Sequence, residues 1–199
     1  MDIQQQTKQP VRFLEGNRVY LRPIGLDDTE LYFRMLYNRE TRRLTGTQKH
    51  FTKEQIARYI EGKSQDSSSV LLLIALHETD EVIGDIALQG IDSYNRNCNL
   101  RIAIDQERFQ GKGYGSEAIL LLLDYGFGIL NMHRIELNVF SFNERASHVY
   151  EKLGFQQEGV QRDALYYNHA YHDSILMAIL EEDYRTLHVR KDFVPVRSV

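Results

Sequence analysis

The sequence predicts one α/β domain, a mixed sheet with helices packed on it. Three observations carry that expectation. Short apolar runs of strand length alternate with longer segments of helical period along the whole chain. Paired runs, about 70–76 with 82–88 and 159–167 with 172–180, flank polar turns. One unit, NLRIAI, QGKGYG, EAILLLLDYGF, RIELNVF, reads strand, glycine turn, helix, strand. At 199 residues the chain can bury one good core, and no composition break near its middle argues for two domains.

In chain order, RVYLRPI (18–24) alternates as a strand does, and LDDTELYFRMLYN, with Asp27 and Asp28 near its start, reads as a helix. FTKEQIARYIEGK offers Thr52 as N-cap with Gln55 three residues on, a capping box ahead of Ile56, Tyr59 and Ile60. Two apolar runs around HETDE predict a hairpin, and NLRIAI adds a strand. EAILLLLDYGFGIL is apolar on nearly every face, as a buried helix is, with Gly126 and Gly128 weakening its last turn. RIELNVFSF (134–142) is the next strand, and the polar NERA starts a helix that Gly154 is placed to end. GVQRDALYY and HDSILMAIL close the sheet through a turn at Asn168. The expected order is β-α-α-β-β-β-α-β-α-β-β. Residues 1–12 and 188–199 are expected to be tails, the second polar, carrying Pro195 and without a clear partner.

Composition narrows the function classes. Apolar residues make up 42% and charged residues 26%, ordinary for a soluble globular chain. A net charge of −4 and a pI near 6.0 lack the basic footprint of a nucleic-acid binder, so no nucleic-acid partner is expected. The apolar run after the glycines is far short of the roughly 20 residues a membrane span needs, and MDIQQQTKQP lacks a signal-peptide pattern. The expectation is a cytoplasmic protein with no membrane association. Cys98 is the single cysteine, which excludes an internal disulfide, and its place in a strand makes it a packing residue.

His169 and His172 are three apart but lie in a Tyr-rich turn with only Asp173 as a carboxylate partner, so a solvated turn is expected there and no metal site. His133 and His148 stand singly and read as structural. Tyr166, Tyr167 and Tyr171 either line an acceptor pocket or are half-buried strand residues.

The glycine turn carries the functional signal. A helix N-terminus leaves several N–H groups without partners and a partial positive charge, and glycines ahead of it admit a ligand close to the backbone. Phosphate is the natural guest. Arg108 and Lys112 add charge or are simply solvated, and the plainer alternative is a sharp turn with no ligand. The dinucleotide fingerprint G-x-G-x-x-G/A fails because Ser116 stands at its third position, and the P-loop pattern fails because Gly113 follows Lys112.

Gln110-x-x-Gly113-x-Gly115, after a strand and opening a helix, resembles the acyl-coenzyme A loop of the GCN5-related N-acetyltransferases, Q/R-x-x-G-x-G/A. One helix and one strand later, Asn143, Ala146, Tyr150 and Lys152-Leu153-Gly154-Phe155 resemble that family's second block. The resemblance covers roughly residues 13–187, and RDALYYNHAYHDSILMAIL is similar to the end of the branch holding ribosomal-protein N-terminal and polyamine acetyltransferases.

The resemblance implies an acyl-CoA N-acyltransferase fold, with a mostly antiparallel sheet and a splayed central strand pair. It implies acetyl-CoA as co-substrate and an amine acceptor: a protein N-terminus, a polyamine, or a small amine such as an amino acid or antibiotic. Ile102, Ala103 and Ile104 would bind the pantetheine arm through their backbone. Gln110, Gly111, Lys112, Gly113, Tyr114, Gly115 and Ser116 would hold the pyrophosphate. Asn143 matches a cofactor-contacting residue, and its other reading is a helix cap. Tyr150 matches the tyrosine near the coenzyme sulfur and is the expected general acid, against a plain core tyrosine.

The general base is open. Many relatives carry an acid where this chain has Asn99, which leaves Asp85, Glu40 or water, and the plain reading of both carboxylates is an ordinary surface or strand-edge group. A non-catalytic acyl-CoA-binding regulator is the rival from another class, and a homodimer is a family-level expectation.

Overall fold

The computed structural model describes residues 10–189. Among the described residues, eight strands form one sheet in the order β1-β2-β3-β4-β5-β6-β8-β7. They are β1 (Leu14–Glu15), β2 (Val19–Pro23), β3 (Val70–Leu76), β4 (Val82–Asp92), β5 (Asn97–Ile104), β6 (Arg134–Phe140), β7 (Gln156–Tyr167) and β8 (Ala170–Leu180). Every neighbouring pair is antiparallel except β5 with β6, whose parallel arrangement follows from the helix that connects them. That helix is α4 (Tyr114–Gly128); the others are α1 (Thr29–Leu36), α2 (Arg39–Thr45), α3 (Lys53–Gln65), α5 (Glu144–Lys152) and α6 (Glu181–His188).

Local sequence chemistry explains most of these elements. The capping box of α3 is present in both directions: the Gln55 N–H donates to Thr52 Oγ1 at 3.3 Å and the Thr52 N–H to Gln55 Oε1 at 2.8 Å. The wholly apolar α4 is the central helix, with Ala118, Ile119, Leu122, Leu123 and Phe127 buried against the odd-numbered residues of β6 and the core face of β4 and β5. Gly126 has a packing reason to be small, since a Cβ there would stand 2.7 Å from Ile135 Cδ1. None of the helices among the described residues is long and apolar enough to cross a membrane.

Several features depart from the sequence expectation, beginning with β1, which precedes the first expected strand. The polar RETRRLT forms α2, held by the Asn38 side chain, which accepts from Thr41 N, and by Gly46 in the left-handed conformation (φ 64°). It buries only Thr41, so its sequence carries no apolar helical period. Residues 181–188 form α6, anchored by buried Tyr184, whose hydroxyl donates to Asp124 at 3.1 Å and whose ring stacks on Phe127. His188, placed in the tail, ends that helix and contacts the Leu153 carbonyl at 2.9 Å. Arg12, also assigned to a tail, forms ion pairs with Glu15 and Asp80. The remainder of the expected tails, residues 1–9 and 190–199 with Pro195, lies outside the described residues.

Asp85 is a further departure. It is 3% exposed in the middle of β4, not at a surface or strand edge. Arg101 on β5 donates to it, and Tyr32 of α1 donates at 3.4 Å. Beside it, Gly84 permits close approach of β4 and β5: a Cβ there would lie 2.2 Å from the Ala103 carbonyl oxygen, a backbone atom that cannot turn away. Gly84→Ala is therefore expected to destabilise the fold by about 2 kcal/mol, an overpacking cost read from the urea midpoint.

Candidate active site

The site begins where the sheet comes apart. β5 and β6 pair only at Asn97 with Arg134, Cys98 with Ile135 and Asn99 with Glu136. From Leu100 to Ile104, β5 remains paired with β4 on its other side and leaves its β6-facing backbone groups free. Among the described residues, the side chain that hydrogen-bonds to this free edge is Gln110, whose Nε2 donates to the Ile104 carbonyl at 3.2 Å. Buried backbone groups without partners are costly, so an open fork of this kind suits a ligand that supplies its own amides.

A cavity of about 770 Å³ occupies the fork, within the usual range of about 300–1,000 Å³ for small-ligand sites. It is lined from both faces of the sheet. On the α4 face stand Leu100, Ile102, Ile104, Ile119, Val149 and Tyr150; on the α2 face stand Gln89, Asn99, Arg101, Asn138, Glu40 and Arg43. One side is apolar and the other polar, and the fork joins them.

At the apolar end the chain enters α4 through Gly111 (φ 74°) and Gly113 (φ 84°), conformations that L side chains rarely adopt. Gly113 is the N-cap and has no side chain to cap the helix, so the first N–H groups of α4 are left for a guest. Arg18 holds the turn from behind, donating to the Lys112 carbonyl at 2.8 Å and to Glu117 at 2.9 Å. From the far wall, Arg145 of α5 donates to Gln110 Oε1 at 3.0 Å. Gln110, Gly111, Gly113, Tyr114, Gly115, Ser116 and Asn143 line the cavity together with Ile102, Ala103 and Ile104; Lys112 does not. Arg108 is turned away to Glu81 and Gln106. The residues present fit an elongated anionic cofactor: unpaired strand backbone, an uncapped helix start between glycines, and Arg145 at the mouth.

Asn143 caps α5, its Oδ1 accepting from the Ala146 N–H at 3.3 Å, while it also borders the cavity. Tyr150 packs edge-on to Phe155 at 5.8 Å, and its hydroxyl has no hydrogen-bond partner among the described residues. Burial pushes its phenol up to about 12, so it is a proton donor, not a phenolate, at any ordinary pH.

The two carboxylates weighed as bases differ. Asp85 does not line the cavity; Arg101 lies between it and the space. Burial raises the Tyr32 hydroxyl beside it. Glu40 borders the cavity, but the Arg43 guanidinium grips both of its oxygens, at 2.7 and 3.0 Å, and holds its carboxyl below the usual range.

The remaining candidates fall away from the site. Cys98 is buried in β5, its thiol pushed up to about 12 by burial. His133 and His148 are exposed, and His148 contacts only the Glu144 carbonyl of its own helix. Tyr166 and Tyr171 are exposed and pack on each other outside the cavity. The polar contribution of α2 was missed from the sequence because α2 itself was missed; the Asn38 to Gly46 cap pair was the available signal.

Comparison with known proteins gives the same picture. The chain matches the family model "Acetyltransferase (GNAT) domain" over residues 18–156. It is 30% identical to the uncharacterized N-acetyltransferase YoaA of Bacillus subtilis (strain 168), over 84% of this chain and 96% of that protein. It is 37% identical to the spermidine N(1)-acetyltransferase of Escherichia coli (strain K12) over 54% of this chain and 58% of that enzyme. The crystal structure of spermidine N-acetyltransferase from Vibrio cholerae in complex with CoA and spermine matches with a TM-score of 0.79 at 27% identity, covering 83% of this chain and 97% of that one. With the forked sheet and the glycine turn in place, the chain belongs to the GNAT acetyltransferase family, as an acetyl-CoA-dependent N-acetyltransferase.

Proposed function

We propose that this chain transfers acetyl to a primary amine by direct attack within a ternary complex, with no covalent enzyme intermediate. The observation that supports it most is the loss of β5 and β6 pairing beyond Asn99, with Tyr150 on one wall of the gap and a polar surface on the other. Acetyl-CoA supplies the activated acyl group as a thioester. The N–H groups from Gly111 to Ser116 bind its pyrophosphate, the Gln110 N–H being taken by the Glu107 carbonyl, and Arg145 adds charge at the mouth. Ile102 and Ile104 pair with the pantetheine amides along the free edge of β5, whereas the Ala103 backbone faces Asp85 of β4. Asn143 keeps α5 capped and borders the cofactor.

As the new C–N bond forms and the C–S bond breaks, the Tyr150 hydroxyl gives its proton to the departing sulfur and regains one from water before the next turnover. Free strand N–H groups polarise the acyl carbonyl. The proton lost by the amine goes to water on the open α2 side, because Asp85 is covered by Arg101 and Glu40 is occupied by Arg43. The polar wall built by Gln89, Asn99 and Asn138 orients the acceptor. The reading carries a cytoplasmic setting and a homodimer with it; sedimentation of the purified chain checks the second.

Thiol release from acetyl-CoA, measured against neutral, acidic and cationic primary amines, is expected to proceed with at least one acceptor class. Tight acetyl-CoA binding with silence across a wide panel would instead favour the non-catalytic binder. No binding at all would refute the account of the glycine turn.

A further inference from the structure

Beside the α2 face of the fork lies a second cavity of about 270 Å³, lined by Arg39, Arg43, Phe142, Tyr167, Asn168 and His172. Arg43 and Phe142 line the larger cavity as well, so the two spaces share a wall. No carboxylate lines the smaller one. Two of its side chains, Arg43 and His172, are held in place by neighbours. Arg43 is held by Glu40 and lies 5.3 Å from the centre of the Phe142 ring. His172 is placed by the Tyr167 carbonyl at 3.3 Å and by an edge contact with Phe142 at 4.9 Å. Arg39 has no carboxylate within ion-pair distance among the described residues. The neighbouring Asp173 is turned away, its Oδ1 accepting from the Asp163 N–H at 2.9 Å.

From this geometry we infer that the acceptor bears a carboxylate as well as the amine, and that the Arg39, Arg43 and His172 pocket receives the carboxylate while the amine enters the fork. The inference rests on the acetyl-transfer reading above and names its acceptor class. Arg43 spends two of its donors on Glu40, so Arg39 is the guanidinium able to pair with a carboxylate through two parallel hydrogen bonds, beside an aromatic wall that excludes water. The α2 face offers a polycation the opposite of what it needs. Of the carboxylates near α2 among the described residues, Glu40 is paired with Arg43 and Asp85 with Arg101, while Asp105, which accepts from Thr41 at 3.5 Å, lines neither cavity. This chain and its polyamine-acetylating relatives therefore part at the acceptor.

The test compares kcat/KM for glutamate, an N-terminal peptide with an acidic second residue, their amide counterparts, and spermidine, in the wild type, Arg39→Ala and Arg39→Glu. The wild type is expected to prefer each acid over its amide by at least about tenfold, the worth of one charge-assisted contact. Arg39→Ala should lower that preference about tenfold, and Arg39→Glu should turn it toward spermidine. Glutamate against the acidic peptide distinguishes a free amino acid from a protein N-terminus as the source of the carboxylate. An acid preference unmoved by Arg39→Ala, or spermidine as the best wild-type acceptor, overturns the inference. Calorimetric binding of N-acetylglutamate with CoA present is a second readout that needs no turnover. Binding lost in Arg39→Ala supports the pocket even if the acetyl-transfer reading fails, and absence of binding to the wild type removes it.

Discussion

Tyr150→Phe is expected to lower kcat for acetyl transfer about 100-fold while leaving acetyl-CoA affinity within about twofold, the pattern of an interaction made only in the transition state. The substitution is clean for a structural reason. The Tyr150 hydroxyl carries no hydrogen bond among the described residues, so its removal orphans no partner, and the ring keeps its contact with Phe155. Stability should therefore hold while turnover falls. The pH profile gives an independent check. Burial pushes the phenol up to about 12, so the group is protonated below that value and loses its proton only above it. The wild-type rate should show no falling limb from Tyr150 until pH approaches that range. Equal kcat in Tyr150→Phe and wild type would remove Tyr150 from the chemistry.

Arg101→Met is expected to cost about 3 kcal/mol of stability, because it leaves the Asp85 carboxylate buried without its cation. For a chain of this size that corresponds to a fall of about 10 °C in Tm. Asp85 is almost wholly enclosed, at 4% side-chain exposure, whereas Arg101 retains 30% and borders the cavity. The single substitutions should therefore be unequal. Asp85→Leu leaves a guanidinium that can still reach water and costs less than Arg101→Met, and the double variant recovers most of the loss. Urea unfolding of the two singles and the double measures the coupling. Additive effects would mean that the pair contributes nothing beyond its separate side chains. Tyr32, stacked parallel to Tyr59 at 6.2 Å, closes the cluster from α1 and loses its hydrogen-bond acceptor if Asp85 goes.

Features set by neighbours in sequence were legible. The capping box joins Thr52 to Gln55, three residues apart, and the glycines ahead of α4 supply positive φ at the helix mouth. The strand, turn, helix, strand unit followed from apolar period alone. Features set by distant partners were not. The sequence VIGDIAL reads as a strand with one polar interruption, and only Arg101 on the next strand explains why Asp85 can be buried. Likewise α6 depends on Asp124 and Phe127 of α4 to receive Tyr184, and nothing in EEDYRTLH announces them.

The sequence by itself determined the fold class and the place of the glycine turn at the mouth of α4, because both depend on local backbone chemistry and apolar period, and its family resemblance named Tyr150 as the acid to test. Tertiary structure decided the rest. It set where β5 and β6 part, which carboxylates face the cavity and which are already paired, and that α2 brings Arg39 and Arg43 beside the fork. Those outcomes depend on strand register and on ion pairs between residues far apart in the chain, and such pairings are fixed only when the sheet closes on its helices.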